Sequence, residues 1–137
     1  MDTTEFNSRL IDTLAEYQKV NVFECGSVLF RENETPAGVH VLLSGEVDLL
    51  FARRGDDVPL HFAQAHQILG LSSIVSGRNH EYTATATTTV LTGFVDRDTL
   101  FRVLHDSPDR WFDVLQVLSG DIISCYDRVK QLVTGKG

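Results

Sequence analysis

Five histidines (His40, His61, His66, His80 and His105) and two cysteines (Cys25 and Cys125) are the side chains of this sequence best suited to metal or nucleophilic chemistry. Their spacing argues against both. Imidazoles that converge on a metal inside a β-barrel come as a His-x-His pair with a carboxylate, and no His-x-His occurs. His61 and His66 straddle an expected turn, and His40, between Val39 and Val41, reads as an outward strand residue. An iron–sulfur cluster takes four thiolates. Cys25 and Cys125, a hundred positions apart, match no metal or redox spacing and read as free thiols of a reducing compartment. Arg54-Gly55-Asp56 is hairpin chemistry, and Asn33-Glu34-Thr35 is a chance match to a glycosylation site. Gly135-Lys136-Gly137 lacks the upstream Gly and following Ser or Thr of a phosphate loop. No Ser-His-Asp or Cys-His arrangement has a local signature. The expectation is therefore no enzyme activity, no catalytic residue and no metal site.

The charge balance narrows the partners. Twelve Lys and Arg stand against 19 Asp and Glu, a net charge of −7. Binding to nucleic acid needs a basic face to neutralise phosphates, and an anionic membrane makes the same demand, so neither is expected. No apolar run approaches the roughly 20 residues of a membrane span. Met1-Asp2-Thr3-Thr4-Glu5 has neither the basic nor the apolar region of a secretory signal, which points to the cytoplasm. A chain of 137 residues fits one domain, 1–137, with one core.

Three segments must position whatever site exists. In 1–19, Phe6, Leu10, Ile11 and Leu14 form one apolar stripe at helical spacing. In 20–95 the period drops to two. Val20 and Val22, then Val28 and Phe30, bracket the turn Glu24-Cys25-Gly26-Ser27. Val39, Val41 and Leu43 are followed beyond Gly45 by Val47, Leu49 and Phe51. Arg54-Gly55-Asp56-Asp57 reads as a hairpin turn before Val58, Leu60 and Phe62. Ser76-Gly77-Arg78-Asn79 reads as an exposed loop, and the Thr- and Val-rich run from Tyr82 to Val95 suits a pleated surface. Many short strands with Gly-bearing turns indicate an antiparallel sandwich or barrel.

Helical spacing returns in 96–137. Asp96 or Asp98 can cap a short helix bearing Leu100, Phe101, Val103 and Leu104. Ser107-Pro108 is a helix restart, with Ser at the cap and Pro at the first position, where its missing N–H costs nothing. Beyond it Trp111, Leu115, Leu118, Ile122, Tyr126, Val129 and Val133 fall at nearly heptad spacing, and Phe112, Val114, Val117 and Ile123 widen the apolar surface. Trp111 and Phe112 are expected to pack onto the barrel. The second half of the helix has no other element to cover it, so a homodimer through this seam is expected.

The order of these pieces resembles the cyclic nucleotide-binding domain of CRP/FNR-type regulators. Phe23-Glu24-Cys25-Gly26-Ser27-Val28-Leu29-Phe30-Arg31-Glu32 and Gly38-Val39-His40-Val41-Leu42-Leu43-Ser44-Gly45-Glu46-Val47 carry the resemblance, above all in the placing of Gly26 and Gly45. It continues through Ile68-Leu69-Gly70-Leu71-Ser72-Ser73, His80 to Ala86, and Val95-Asp96-Arg97-Asp98-Thr99-Leu100-Phe101, nearly the whole chain. It implies a mainly β fold with flanking α: a double-stranded β-helix, or jelly roll, with an N-terminal helix and a long C-terminal dimerisation helix. In such regulators a DNA-binding helix-turn-helix follows. This sequence reaches Gly137 near the end of the long helix, so direct nucleic-acid binding by this chain is not expected.

The resemblance also implies a phosphate-binding cassette, in which a Gly-Glu pair opens a short helix and an Arg followed by Ser or Thr neutralises the cyclic phosphate. Here Gly70 matches, Leu71 replaces the Glu, and Tyr82 (or Glu81) followed by Thr83 stands at the Arg position. Charge-assisted phosphate contacts are the strong ones, and a buried phosphate without a counter-charge is poorly compensated. Arg78, the only cation between Arg54 and Arg97, lies four residues early. The candidate ligand-binding residues are thus Gly70, Leu71, Ser72, Ser73, Arg78, Tyr82 and Thr83, for an effector smaller or less anionic than cyclic AMP. Cyclic nucleotide is disfavoured as a cofactor. Leu71→Glu with Tyr82→Arg is expected to create affinity for it. The expected function is a non-enzymatic small-molecule-sensing regulatory domain, with a structural dimerisation module carrying a vestigial pocket and a cupin-like metalloprotein as the alternatives.

Overall fold

The computed structural model describes residues 4–53, 56–63 and 66–118. Eight strands lie between helical ends: α1 (Thr4–Ala15), β1 (Lys19–Phe23), β2 (Val28–Phe30), β3 (Gly38–Ser44), β4 (Val47–Arg53), β5 (Asp56–Ala63), β6 (Ile68–Leu69), α2 (Leu71–Ser76), β7 (Thr83–Ala86), β8 (Val90–Asp96) and α3 (Arg97–Asp106). A further helix, α4, runs over 109–118. The strands form two antiparallel four-stranded sheets, ordered β1-β8-β3-β6 and β2-β7-β4-β5, as the jelly-roll reading requires. No helix among the described residues is long and apolar enough to cross a membrane.

Two cores follow from the alternation along β3. Its odd residues Val39 and Val41 face α1, α2, α3 and α4, where they meet Leu10, Leu14, Leu71, Ile74, Leu100 and Val114. Its even residue Leu42 faces the second sheet and meets Phe30, Leu49, Leu69 and Ala84. Because β3 is covered on both sides, His40 is buried between the sheets and does not point outward. Alternation assigns side chains to faces; it does not say which face is wet. The opposite case is β1, an edge strand that among the described residues pairs with β8 alone, and whose Val20 and Val22 stay 58% and 63% exposed.

The helical ends are held by caps and charge. Asp96 accepts a hydrogen bond from the Thr99 amide at 2.7 Å and caps α3. Restart at Ser107-Pro108 is visible in the amides of Arg110 and Trp111, which donate to the carbonyls of Ser107 and Pro108. On α4, Val114 and Val117 enter the core and Trp111 packs partly against it, whereas Phe112 and Leu115 remain 55% and 61% exposed. Asp113, only 1% exposed, takes Arg9 of α1 at 2.8 Å and Arg110 at 2.9 Å. This clamp ties the first helix to the last described one, and no sequence pattern announced it.

Asp56 and Asp57 belong to β5 and not to a turn, since β4 and β5 pair as far as Arg53 opposite Asp56. Gly45, between β3 and β4, has φ +92°, and a Cβ there would press on the Thr89 carbonyl oxygen. Gly45→Ala therefore combines left-handed strain with a backbone clash. We expect a loss of about 2–3 kcal/mol in urea denaturation.

Candidate functional site

The connection between β2 and β3 is stitched to the segment before β7 by backbone bonds. The Asn33 amide donates to the His80 carbonyl at 2.8 Å, and the His80 amide donates to the Glu34 carbonyl at 2.9 Å. Asn33 adopts φ 72°, a left-handed conformation that Asn tolerates better than most residues. Thr83 Oγ1 accepts from the Glu32 amide at 2.9 Å, and Glu34 Oε1 accepts from the Arg31 amide at 2.7 Å. These bonds fix His80 with its ring turned inward. It stacks on Phe30 at 3.8 Å between centroids and 15° between planes, and its Cε1 lies 3.2 Å from where a Cβ on Gly70 would be. Gly70 itself adopts φ 88° at the start of α2, so the turn requires glycine and His80 fills the space beside it.

A cavity of about 500 Å³ opens beside this stack, at one end of the space between the sheets. Phe30, His40, His80 and Phe94 form its walls, and Asn21, Glu34, Thr35 and Ala37 form its rim. His40 sits opposite Phe94 and Leu69 in the sheet. Its Nδ1 shares a hydrogen bond of 3.2 Å with Thr92 Oγ1, and Phe23, Phe30 and Phe94 surround its ring at 5.8, 6.0 and 4.9 Å. Burial, with a smaller contribution from His80, pushes the His40 pKa down to about 4. Burial also lowers that of His80, partly opposed by the Glu34 carboxylate. Both imidazoles are therefore neutral at pH 7. No hydrogen-bond partner among the described residues meets the buried Nδ1 of His80.

The seven residues singled out in the sequence are not gathered at this cavity. Leu71 is 1% exposed and lies in the core shared by the helices and the β1-β8-β3-β6 sheet. Ser72 is exposed, and Ser73 is buried with its carbonyl accepting from the Arg78 amide at the end of α2. Arg78 is exposed in the loop after α2, as expected. Tyr82 is half-buried and its ring lies 5.6 Å from that of Phe30. Thr83 serves the backbone contact already described. The residues sequence reasoning passed over are Phe30 and His80, fifty positions apart. The stitching of the two loops and the β2–β7 pairing, which sets Phe30 opposite Ala84, bring them together, and no periodicity encodes that. Among the described residues no group of three or more His, Cys, Asp or Glu side chains is placed to hold a metal.

The family profile of the cyclic nucleotide-binding domain matches residues 20–107. Among solved structures, the chain is similar to a cyclic nucleotide-binding domain from Methylobacillus flagellatus, at 20% identity and a TM-score of 0.78, over 88% of this chain and 71% of that one. The c-di-GMP responsive global regulator of Xanthomonas campestris superposes with a TM-score of 0.78 at 13% identity, over 93% of this chain and 65% of that one. The catabolite activator protein of Thermus thermophilus does so with a TM-score of 0.78 at 14% identity, over 91% and 59%. The chain thus spans less than two thirds of the length of either regulator. At these identities the superpositions establish the fold, while the profile covers well over half of the sequence. From Val20 through α3, the chain belongs to the cyclic nucleotide-binding domain family, folded as in CRP-type regulators.

Proposed function

We propose that this domain is a non-enzymatic sensing module of a cytoplasmic regulator whose effector is not held by the family's usual contact between a cation and a cyclic phosphate. The observation that carries this reading is the fate of the cassette. Tyr82 occupies the position that resembles the family's Arg and packs on Phe30, while Leu71, at the Glu position, is sealed in the core. The one cation between 70 and 83, Arg78, is exposed after α2. A phosphate brought to this turn would shed water without gaining a counter-charge. A thermal-shift screen with cyclic nucleotides and with phosphate-free small molecules tests the reading, since a ligand that binds only the folded state raises its melting temperature. Stabilisation by a phosphate-free compound alone supports it. The structural-module alternative draws on the His80–Phe30 stack filling the space beside Gly70, and it predicts no stabilisation by any compound.

The partner in this reading is a second copy of the chain. Of the expected seam, Trp111 and Leu118 pack partly against the core, whereas Leu115 is open to a neighbour. Ile122, Tyr126, Val129 and Val133 lie outside the described residues. Self-association along the helix covers Leu115 and Phe112 together, with each helix meeting its two-fold mate. Ile122→Lys with Val129→Lys sets like charges against each other in that seam. Light scattering is expected to fall from about 31 to about 15 kDa, twice and once the 15.3 kDa chain mass. A native protein already at the lower mass contradicts the seam.

A further inference from the structure

We propose that His80 is a proton-operated plug of the turn at Gly70. Its neutral ring closes the space beside the start of α2; on protonation the ring leaves the Phe30 face for the Glu34 carboxylate and opens that turn. The inference rests on the sensing reading above and adds a stimulus to it, the proton. The structure holds the closed form. His80 is 4% exposed and stacks on Phe30 at 3.8 Å and 15°. Its Cε1 and Nδ1 lie 3.2 and 3.8 Å from where a Cβ on Gly70 would stand. That Nδ1 is buried without a hydrogen-bond partner among the described residues. A neutral ring can keep its proton on Nε2 and leave Nδ1 bare. An imidazolium carries a proton on both nitrogens, so its Nδ1–H would be a charged, buried donor with no acceptor, which is the costly case.

The exit lies on the same wall. His80 and Glu34 line one cavity of about 500 Å³, so the ring has room to rotate toward the carboxylate. The main chain stays in place, because the Asn33 amide holds the His80 carbonyl and the His80 amide holds the Glu34 carbonyl. Glu34 Oε1 is steadied in turn by the Arg31 amide at 2.7 Å. The charged and titratable groups around His80 are Arg31, Glu32 and Glu34 after β2, His40 on β3, and Arg78, Glu81 and Tyr82 before β7; α2 carries none. Of these, Glu34 favours the imidazolium, against the burial that disfavours it. His40, held down to about 4, stays neutral over the range in which a freed His80 titrates. The plugged ring refuses a proton that a freed ring takes near the ordinary 6.5. The ratio of open to closed forms therefore rises as pH falls below that value, by up to about tenfold per unit. Acid opens the turn and base closes it.

The test is an NMR titration of the whole chain from pH 7 to pH 5.5, read at the histidine rings and backbone amides, with circular dichroism to follow the fold. The His80 ring protons, shielded by the Phe30 face in the closed form, are expected to move toward free-histidine positions as pH falls. The amides of Gly70 and Leu71 are expected to shift with the same midpoint. His80→Phe keeps a flat ring on Phe30 and gains no proton, so the Gly70 and Leu71 shifts are expected to vanish. Should that variant fail to fold, Glu34→Gln, at an exposed position, keeps an acceptor for the Arg31 amide and removes the charge. It is expected to lower the midpoint by about half a pH unit, the worth of an exposed charge pair. The proposal is overturned if the His80 ring stays shielded to pH 5.5, if Gly70 and Leu71 do not follow it, if the fold is lost over the same range, or if the folded variants titrate as the native chain does. Tight cyclic AMP binding would overturn the sensing reading and leave this titration standing. A ring that never leaves Phe30 overturns the plug and leaves the ligand screen standing, so the two failures are distinguishable.

Discussion

Leu71→Glu is expected to destabilise the domain by about 4 kcal/mol or more, enough to unfold most of it. Leu71 is 1% exposed among Leu10, Leu14, Val39 and Ile74. A carboxylate there either stays charged without a counter-ion or takes up a proton at a strongly raised pKa, and apolar burial is lost in both cases. The consequence reaches function. By resemblance alone, restoring the family's Glu and Arg together is expected to create affinity for cyclic nucleotide. The packing of α2 reverses that expectation: the acid would be sunk in the core before any ligand arrived. Tyr82→Arg by itself, at a half-buried position, is the milder change. Urea denaturation of both single variants separates them. A Leu71→Glu chain as stable as the native one would mean that α2 turns this side chain toward the nucleotide side, and the site assignment would have to be redrawn.

Acidification is expected to remove about 3 kcal/mol of stability between pH 6.5 and pH 4, before most carboxylates titrate. Burial holds the His40 pKa near 4 in the folded protein, against 6.5 for a free imidazole. Between these values the unfolded chain binds a proton that the folded chain refuses, so stability falls as pH falls through that window and is flat above it. His80 acts in the same direction and adds to the slope. Asp96, lowered by its hydrogen bonds with Thr99, contributes only below its ordinary value of 3.8 and lies outside this window. His40→Gln retains a partner for Thr92 and removes the titrating group. Its urea midpoint is expected to change far less between pH 7 and pH 4.5 than that of the native chain. Parallel pH profiles for the two proteins would show that His40 does not carry the effect.

The fold was readable because its signals are local and repeated. The stripe Leu10-Ile11-Leu14, the alternation through β3 and β4, the Asp96 cap and the Ser107-Pro108 restart each report on a few neighbouring residues. The site was readable only in part. Gly70 and the exposed Arg78 lie in the described turn and loop as the sequence suggested, but the orientation of Leu71 is decided by how a helix of six residues seats on β3. His40 was misjudged because alternation cannot tell a solvated face from one covered by a second sheet. The pairing of Phe30 with His80 depends on backbone bonds between Asn33, Glu34 and His80, contacts across nearly fifty residues that leave no mark on composition or period.

Isothermal titration of the native protein with cyclic AMP at neutral pH tests the central claim most directly, because it asks whether a cassette without a buried cation can still hold a cyclic phosphate. The account predicts no saturable heat at sub-micromolar ligand. A one-to-one isotherm with a sub-micromolar Kd would contradict it.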